Sequence, residues 1–198
     1  MAKIGLNNFR YAIATVNALT GAVTYAGATK PGKAVSFTLT LTKADAELYA
    51  DDGLAESDYA VTGGDVTMGI DRYDLDTMSA ILGHTETDGE VVDNTADVAP
   101  YVGFGRVTPV MVDNTRLYRA TVLPLVKFSD PDESDTTRGE NVEFGTYEVQ
   151  GKLIIPADGE WRKRKEFSTP EAAIAYIEAE LAAPTTPPAQ GGSTGTGN

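Results

Sequence analysis

The chain is 198 residues long, enough for one domain or one domain with an appendage, and 41% of it is apolar, enough to bury a real core. With 16 basic and 29 acidic residues its net charge is −13 when its single histidine is neutral, a poor basis for binding nucleic acid by phosphate neutralisation. The lack of cysteine and the lone histidine exclude disulfide frameworks, thiolate zinc and iron–sulfur sites, cysteine nucleophiles and multi-histidine metal centres.

Period-two alternation dominates the chain up to about Ala183. Phe9, Tyr11 and Ile13 predict a strand, which Thr20-Gly21 turns back towards Val23 and Tyr25. From Val35 to Thr42 apolar residues hold every odd position and hydroxyls every even one, the pattern of a half-buried strand with a threonine-rich outer face. Residues 43–58, with Asp51-Asp52-Gly53 inside them, read as a long polar loop. Val66, Met68 and Ile70 resume the alternation. Asp74 then caps a short helix bearing Leu75, Met78, Ile81 and Leu82, and Gly83 stops it.

Segments 101–112 and 116–128 predict a hairpin about Asp113-Asn114-Thr115, with Pro109 and Pro124 each marking an edge or a bulge. A second polar loop spans 129–141. Tyr147, Val149, Leu153 and Ile155 line one face of a further strand, and Ala157-Asp158-Gly159 turns it into a strand over Glu160–Phe167. A second helix follows: Ser168 or Thr169 is its cap, Pro170 opens it, and Glu171 sits near its positive end. Ala173, Ile174, Ile177 and Leu181 form its apolar stripe, and Pro184 ends it. The expected fold is mainly β, an antiparallel β sandwich or partial barrel with one or two flanking α-helices. Residues 1–183 form the domain. Residues 184–198, with three prolines, four glycines, no charge and no large apolar side chain, read as a flexible tail or linker.

No segment has the roughly 18 consecutive apolar residues of a membrane helix, and Met1-Ala2-Lys3-Ile4-Gly5 lacks a secretory pattern. The sequence thus predicts a chain made in a cytoplasm that has no membrane partner.

Candidate chemistry is sparse. His84 follows the stop glycine of the short helix, where the helix dipole favours it, and no serine carries a nucleophile-elbow pattern to make it catalytic. Asp130, Asp132 and Ser134 occupy calcium-loop spacing, but Asp135 stands where glycine is required and Asn141 where glutamate is required. Gly103-Phe104-Gly105 begins a dinucleotide fingerprint and then meets Pro109 instead of a helix. Arg162, Lys163, Arg164 and Lys165 make the one basic run, suited to pairing with an acidic surface within or between subunits, with phosphate contact as the alternative. No catalytic, metal or cofactor site is expected.

The segments MAKIGLNNFRYAIAT, DRYDLDTMSAILGH, PYVGFGRV and YRATVLPLVKFSDPDESDTTRGENVEFGTYEVQGKL, in that order, resemble siphophage major tail proteins, over most of residues 1–181. The resemblance implies the phage tail-tube fold and a structural virion protein that is not an enzyme. It implies hexameric rings stacked into a tube whose channel passes DNA into the host without gripping it. It further implies synthesis in a bacterial cytoplasm, residence in the virion tail, and contact with the tape measure protein and with tail terminator or distal tail proteins. On this reading the loops carrying Asp51, Asp52, Asp130, Asp132, Glu133, Asp135 and Arg138, and the basic patch Arg162–Lys165, are candidate inter-subunit contacts. The alternative is a monomeric β-sandwich binding or adhesion module, which requires an exposed aromatic platform.

Overall fold

The computed structural model describes residues 2–50, 53–132 and 146–182, with the backbone alone over 2–3, 45–50 and 53–58. In chain order the elements are β1 (Ala2–Lys3), β2 (Asn7–Val16), β3 (Val23–Tyr25), β4 (Ala34–Ala50), β5 (Gly53–Ile70), α1 (Leu75–Leu82), β6 (Thr85–Thr87), β7 (Glu90–Val92), β8 (Tyr101–Val112), β9 (Thr115–Phe128), β10 (Tyr147–Leu153), β11 (Lys163–Phe167) and α2 (Pro170–Glu180). Nine strands form one antiparallel sheet in the order β3-β2-β8-β9-β10-β5-β4, with β1 paired to β8 and β11 to β9; β6 and β7 form a separate hairpin. The chain is mainly β, a sandwich or partial barrel with two flanking helices.

One sheet makes both walls by curling. Phe37 on β4 stacks on Phe104 of β8 with ring centres 5.4 Å apart and meets Phe9 of β2 edge-on at 6.2 Å, although β4 and β2 lie near opposite ends of the strand order. The inner cluster also takes Val66, Met68 and Ile70 from β5, Val126 and Phe128 from β9, Val149 and Leu153 from β10, and Met78, Ile81 and Leu82 from α1. Leu75, expected on that helix stripe, is instead half exposed, because α1 buries only the side that faces the sheet. Asp74 takes the N-cap position but accepts the Thr77 hydroxyl rather than a backbone N–H, and Gly83 closes the helix in the left-handed region.

Helix α2 packs on the outside. Thr169 is its cap, accepting from the amide of Ala172 at 3.3 Å, and Ala173, Ile177 and Leu181 bury against Ala12, Val107, Ala120 and Val122. Gly103 and Gly105 permit this approach. A Cβ on Gly105 would collide with Ile177, and one on Gly103 with Tyr25 and Leu181. The glycine pair that imitates a nucleotide fingerprint is thus a seat for a helix.

Several sequence boundaries are corrected. Residues 43–50 and 53–58 are not a loop: they extend β4 and β5, which pair from Ala34↔Ile70 out to Ala50↔Gly53 with shifts in register at Ala34/Ser36, Thr42/Lys43 and Leu48/Tyr49, and residues 51–52 lie outside the described residues. The hairpin expected at 113–115 is a two-residue turn, Asp113 and Asn114 both at positive φ, and Thr115 already pairs with Val112. The primed turn matches the twist of the flanking strands. β10 ends at Leu153, short of Ile155, and β11 starts only at Lys163. Pro124 lies at a bulge between the Val102↔Val126 and Phe104↔Leu123 pairs. Pro109 lies where β1 and β2 leave a gap on β8, with its carbonyl accepting from the amide of Ile4 at 3.0 Å. Residues 183–198, and with them the linker reading of 184–198, lie outside the described residues.

Candidate functional site

Three features stand apart from core packing: an edge ribbon, a histidine clasp and a two-faced basic strand. The ribbon comes from strand lengths. β10 pairs with β5 only between Gly64 and Ile70, whereas β4 and β5 stay paired from Lys43↔Val61 to Ala50↔Gly53. That outer half has no third strand on either edge among the described residues. At about 3.3 Å per residue it projects roughly 26 Å past the sheet. Over residues 43–61 the sequence carries Asp45, Glu47, Asp51, Asp52, Glu56 and Asp58 against Lys43 alone. Asp51 and Asp52 lie outside the described residues.

The clasp centres on His84, whose side chain is nearly buried. Nδ1 lies 2.9 Å from Asp97 Oδ2 and Nε2 lies 2.6 Å from Asp130 Oδ1, with Asp93 Oδ1 at 3.6 Å from Nδ1. Carboxylates on both ring nitrogens suit the doubly protonated ring, which alone donates from both. The hydrogen bond to Asp97 is the chief cause of a raised His84 pKa, opposed by burial and reinforced by Asp130 and Asp93. Asp97 is correspondingly lowered, first by His84 and then by the amide of Asn94. The clasp joins the end of α1, the 93–97 turn and the start of the 129–141 segment. Sequence reasoning gave His84 only a helix dipole, because its partners stand 13 and 46 residues away. Of the acidic-loop residues, Asp130 is therefore engaged within its own chain and Asp132 is exposed, while Glu133, Asp135 and Arg138 lie outside the described residues. The described residues contain no group of three or more acidic or histidine side chains arranged to hold a metal ion.

The basic run divides by strand alternation. Lys163 and Lys165 face α2: Lys163 Nζ donates to Glu180 Oε2 at 2.9 Å, the main cause of its raised pKa, and Lys165 lies over the rings of Phe167 and Tyr176. Arg164 points the other way. Through the pairs Arg164↔Thr121 and Thr121↔Arg106 it shares a face with Arg106, and through Glu166↔Arg119 with the Arg119–Glu166 ion pair of 2.6 Å. Arg162 stacks on Trp161 at 4.2 Å and stands close enough to Arg106 to depress its pKa. Arg106 itself lies 4.3 Å over the Phe37 ring and donates from Nη1 to Thr108 Oγ1 at 3.0 Å; its Nε is buried without a partner. The sequence run signalled Arg162 and Arg164 but not Arg106, which comes from a strand more than fifty residues earlier.

The aromatic platform that the adhesion alternative requires is not formed by the strand tyrosines Tyr11 and Tyr25. Tyr11 is buried, and Tyr25 is half buried, its hydroxyl donating to the Pro124 carbonyl at 3.2 Å and its pKa pushed up to about 12 mainly by burial. Comparison with known proteins gives no matching family model and no matching curated protein. No helix among the described residues is long and apolar enough to cross a membrane.

Proposed function

We propose that this chain is a structural subunit that polymerises through its sheet edges into stacked hexameric rings, forming a virion tail tube that conducts DNA. The observation that carries the reading is the β4–β5 hairpin, a 17-residue edge strand and its partner, whose outer half projects with both edges unpaired among the described residues. Soluble monomers shorten, bend or cover such edges, because an exposed ladder recruits another chain, and a lone two-stranded ribbon is marginal in water. Contact between this edge and a different surface on the next copy is heterologous, the kind that closes a ring or extends a filament. The ring number and the tail assignment rest on the sequence resemblance. The net charge of −13 supports a channel that repels phosphate. The proposal assigns no catalytic step and no cofactor; the partners are other copies and, by the same resemblance, the tape measure and tail-end proteins.

Negative-stain microscopy with mass measurement on the purified full chain tests this. Six-fold rings and tubes are expected. A monomer that persists at high concentration, or a five-fold or dihedral closed assembly, refutes it.

A further inference from the structure

We propose that Arg106, Arg162 and Arg164 form a receptor for carboxylate side chains of a second copy of this chain, presented by its β4–β5 ribbon. The inference rests on the polymerisation reading and gives its contact a chemistry. No acidic side chain among the described residues is paired with any of these three arginines; the Glu166 carboxylate on the same face is taken by Arg119. Their present partners are aromatic rings and one threonine hydroxyl. Arg106 leaves its Nε buried and unmatched, and a charged donor hidden from water without an acceptor is costly. The guanidinium groups also repel one another. Arg106 is pushed down to about 10 by burial and then by Arg162 and Arg119, and Arg162 is lowered by burial and then by Arg164. An anion placed beside them relieves the repulsion, and the guanidinium fork fits a carboxylate.

The chain itself supplies the matching surface. Over residues 43–61 the sequence has six acids against one lysine, the ribbon lacks neighbours on both edges among the described residues, and the chain as a whole is too acidic to approach DNA readily. A cationic face and an acidic projection are two different, complementary patches, as a heterologous contact requires.

The test is charge exchange in the full chain. Arg162 and Arg164 lie outside the buried core, so Arg162→Glu with Arg164→Glu should fold normally by circular dichroism, as should Glu56→Lys with Asp58→Lys. Each pair alone should raise the protein concentration needed for assembly about tenfold or more, read by sedimentation velocity and microscopy. Mixing the two variants, or combining all four changes in one chain, should restore assembly. Overturning results are distinct. If wild-type chain forms tubes and the exchanged variants do so equally well, or if the combination gives no rescue, the arginine receptor is wrong while the polymerisation reading stands. If wild-type chain never leaves the monomer, both fall. If short duplex DNA binds wild-type chain and not Arg162→Glu with Arg164→Glu, with assembly unchanged, the face is a phosphate site and the carboxylate receptor is refuted.

Discussion

The two halves of the β4–β5 hairpin share one ladder, with a shift in register between Thr42 and Lys43 where they meet, but live in different surroundings. In the inner half, β10 flanks β5, and Phe37, Leu39, Val66, Met68 and Ile70 enter the main core. In the outer half the same two strands have only each other among the described residues. The inner half is held by burial that the chain provides for itself. The outer half is an unfinished structure, and on the proposed reading a neighbouring copy finishes it.

The comparison breaks most completely if the ribbon is removed. Replacing residues 46–58 by Asn-Gly, so that the hairpin closes at the Asp45–Tyr59 pair, should abolish polymerisation in sedimentation and microscopy while leaving the thermal midpoint of the monomer nearly unchanged. A large fall in that midpoint would show that the outer half stabilises the fold after all. On the inner side, Phe104→Ala opens a cavity among three phenylalanine partners and should cost about 3–5 kcal/mol in chemical denaturation. A loss well below that would mean that the curled sheet collapses to fill the space.

The clasp offers a finer contrast, because it joins the end of α1 to Asp97 and Asp130 by side chains alone. His84 has a raised pKa, so the stability it contributes is complete below the ordinary histidine value of about 6.5 and is lost as pH rises through the raised folded value. Asp97 has a lowered pKa, so its share is present above the ordinary carboxylate range and is lost as pH falls through the lowered value. The clasp is therefore strongest between the two. NMR titration of the single imidazole should show a pKa above 6.5 that falls in Asp97→Asn and also in Asp130→Asn; a pKa unmoved by either change would contradict the clasp. The smallest expected effect belongs to the cap of α2. Thr169→Ala removes one acceptor from the helix start and should cost about 1 kcal/mol, measured in the same denaturation experiment.

Much of the inner half is legible in the sequence because one face of it is buried. Burial writes apolar residues at every second position in 35–42 and 66–70, and the same pressure, with cap chemistry, marks both helices. The ribbon has no such imprint. Ala44, Ala46 and Leu48 do alternate with charged residues, but alanine gives little contrast and no core fixes which face is inside. The clasp and the Arg106 cluster were illegible for another reason. Both are assembled from residues tens of positions apart, and no local rule connects Asp130 to His84 or Arg164 to Arg106. Gly103 and Gly105 show the opposite hazard, a local motif whose meaning lies in a helix about seventy residues later.

Strand β9 has a further consequence. It pairs with β11 along Tyr118–Val122 and with β10 along Val126–Phe128, both on the side away from β8, and the two partners are not paired with each other. Between them sits Pro124, whose ring nitrogen has no hydrogen to offer at the fork. The sheet thus divides there into two leaves on a common spine. One leaf closes the phenylalanine core. The other carries α2 and the arginine face. A pull on the second leaf loads β9 and β8 without unzipping the first, so on the proposed reading a tube has a seam at which the strain of bending is absorbed.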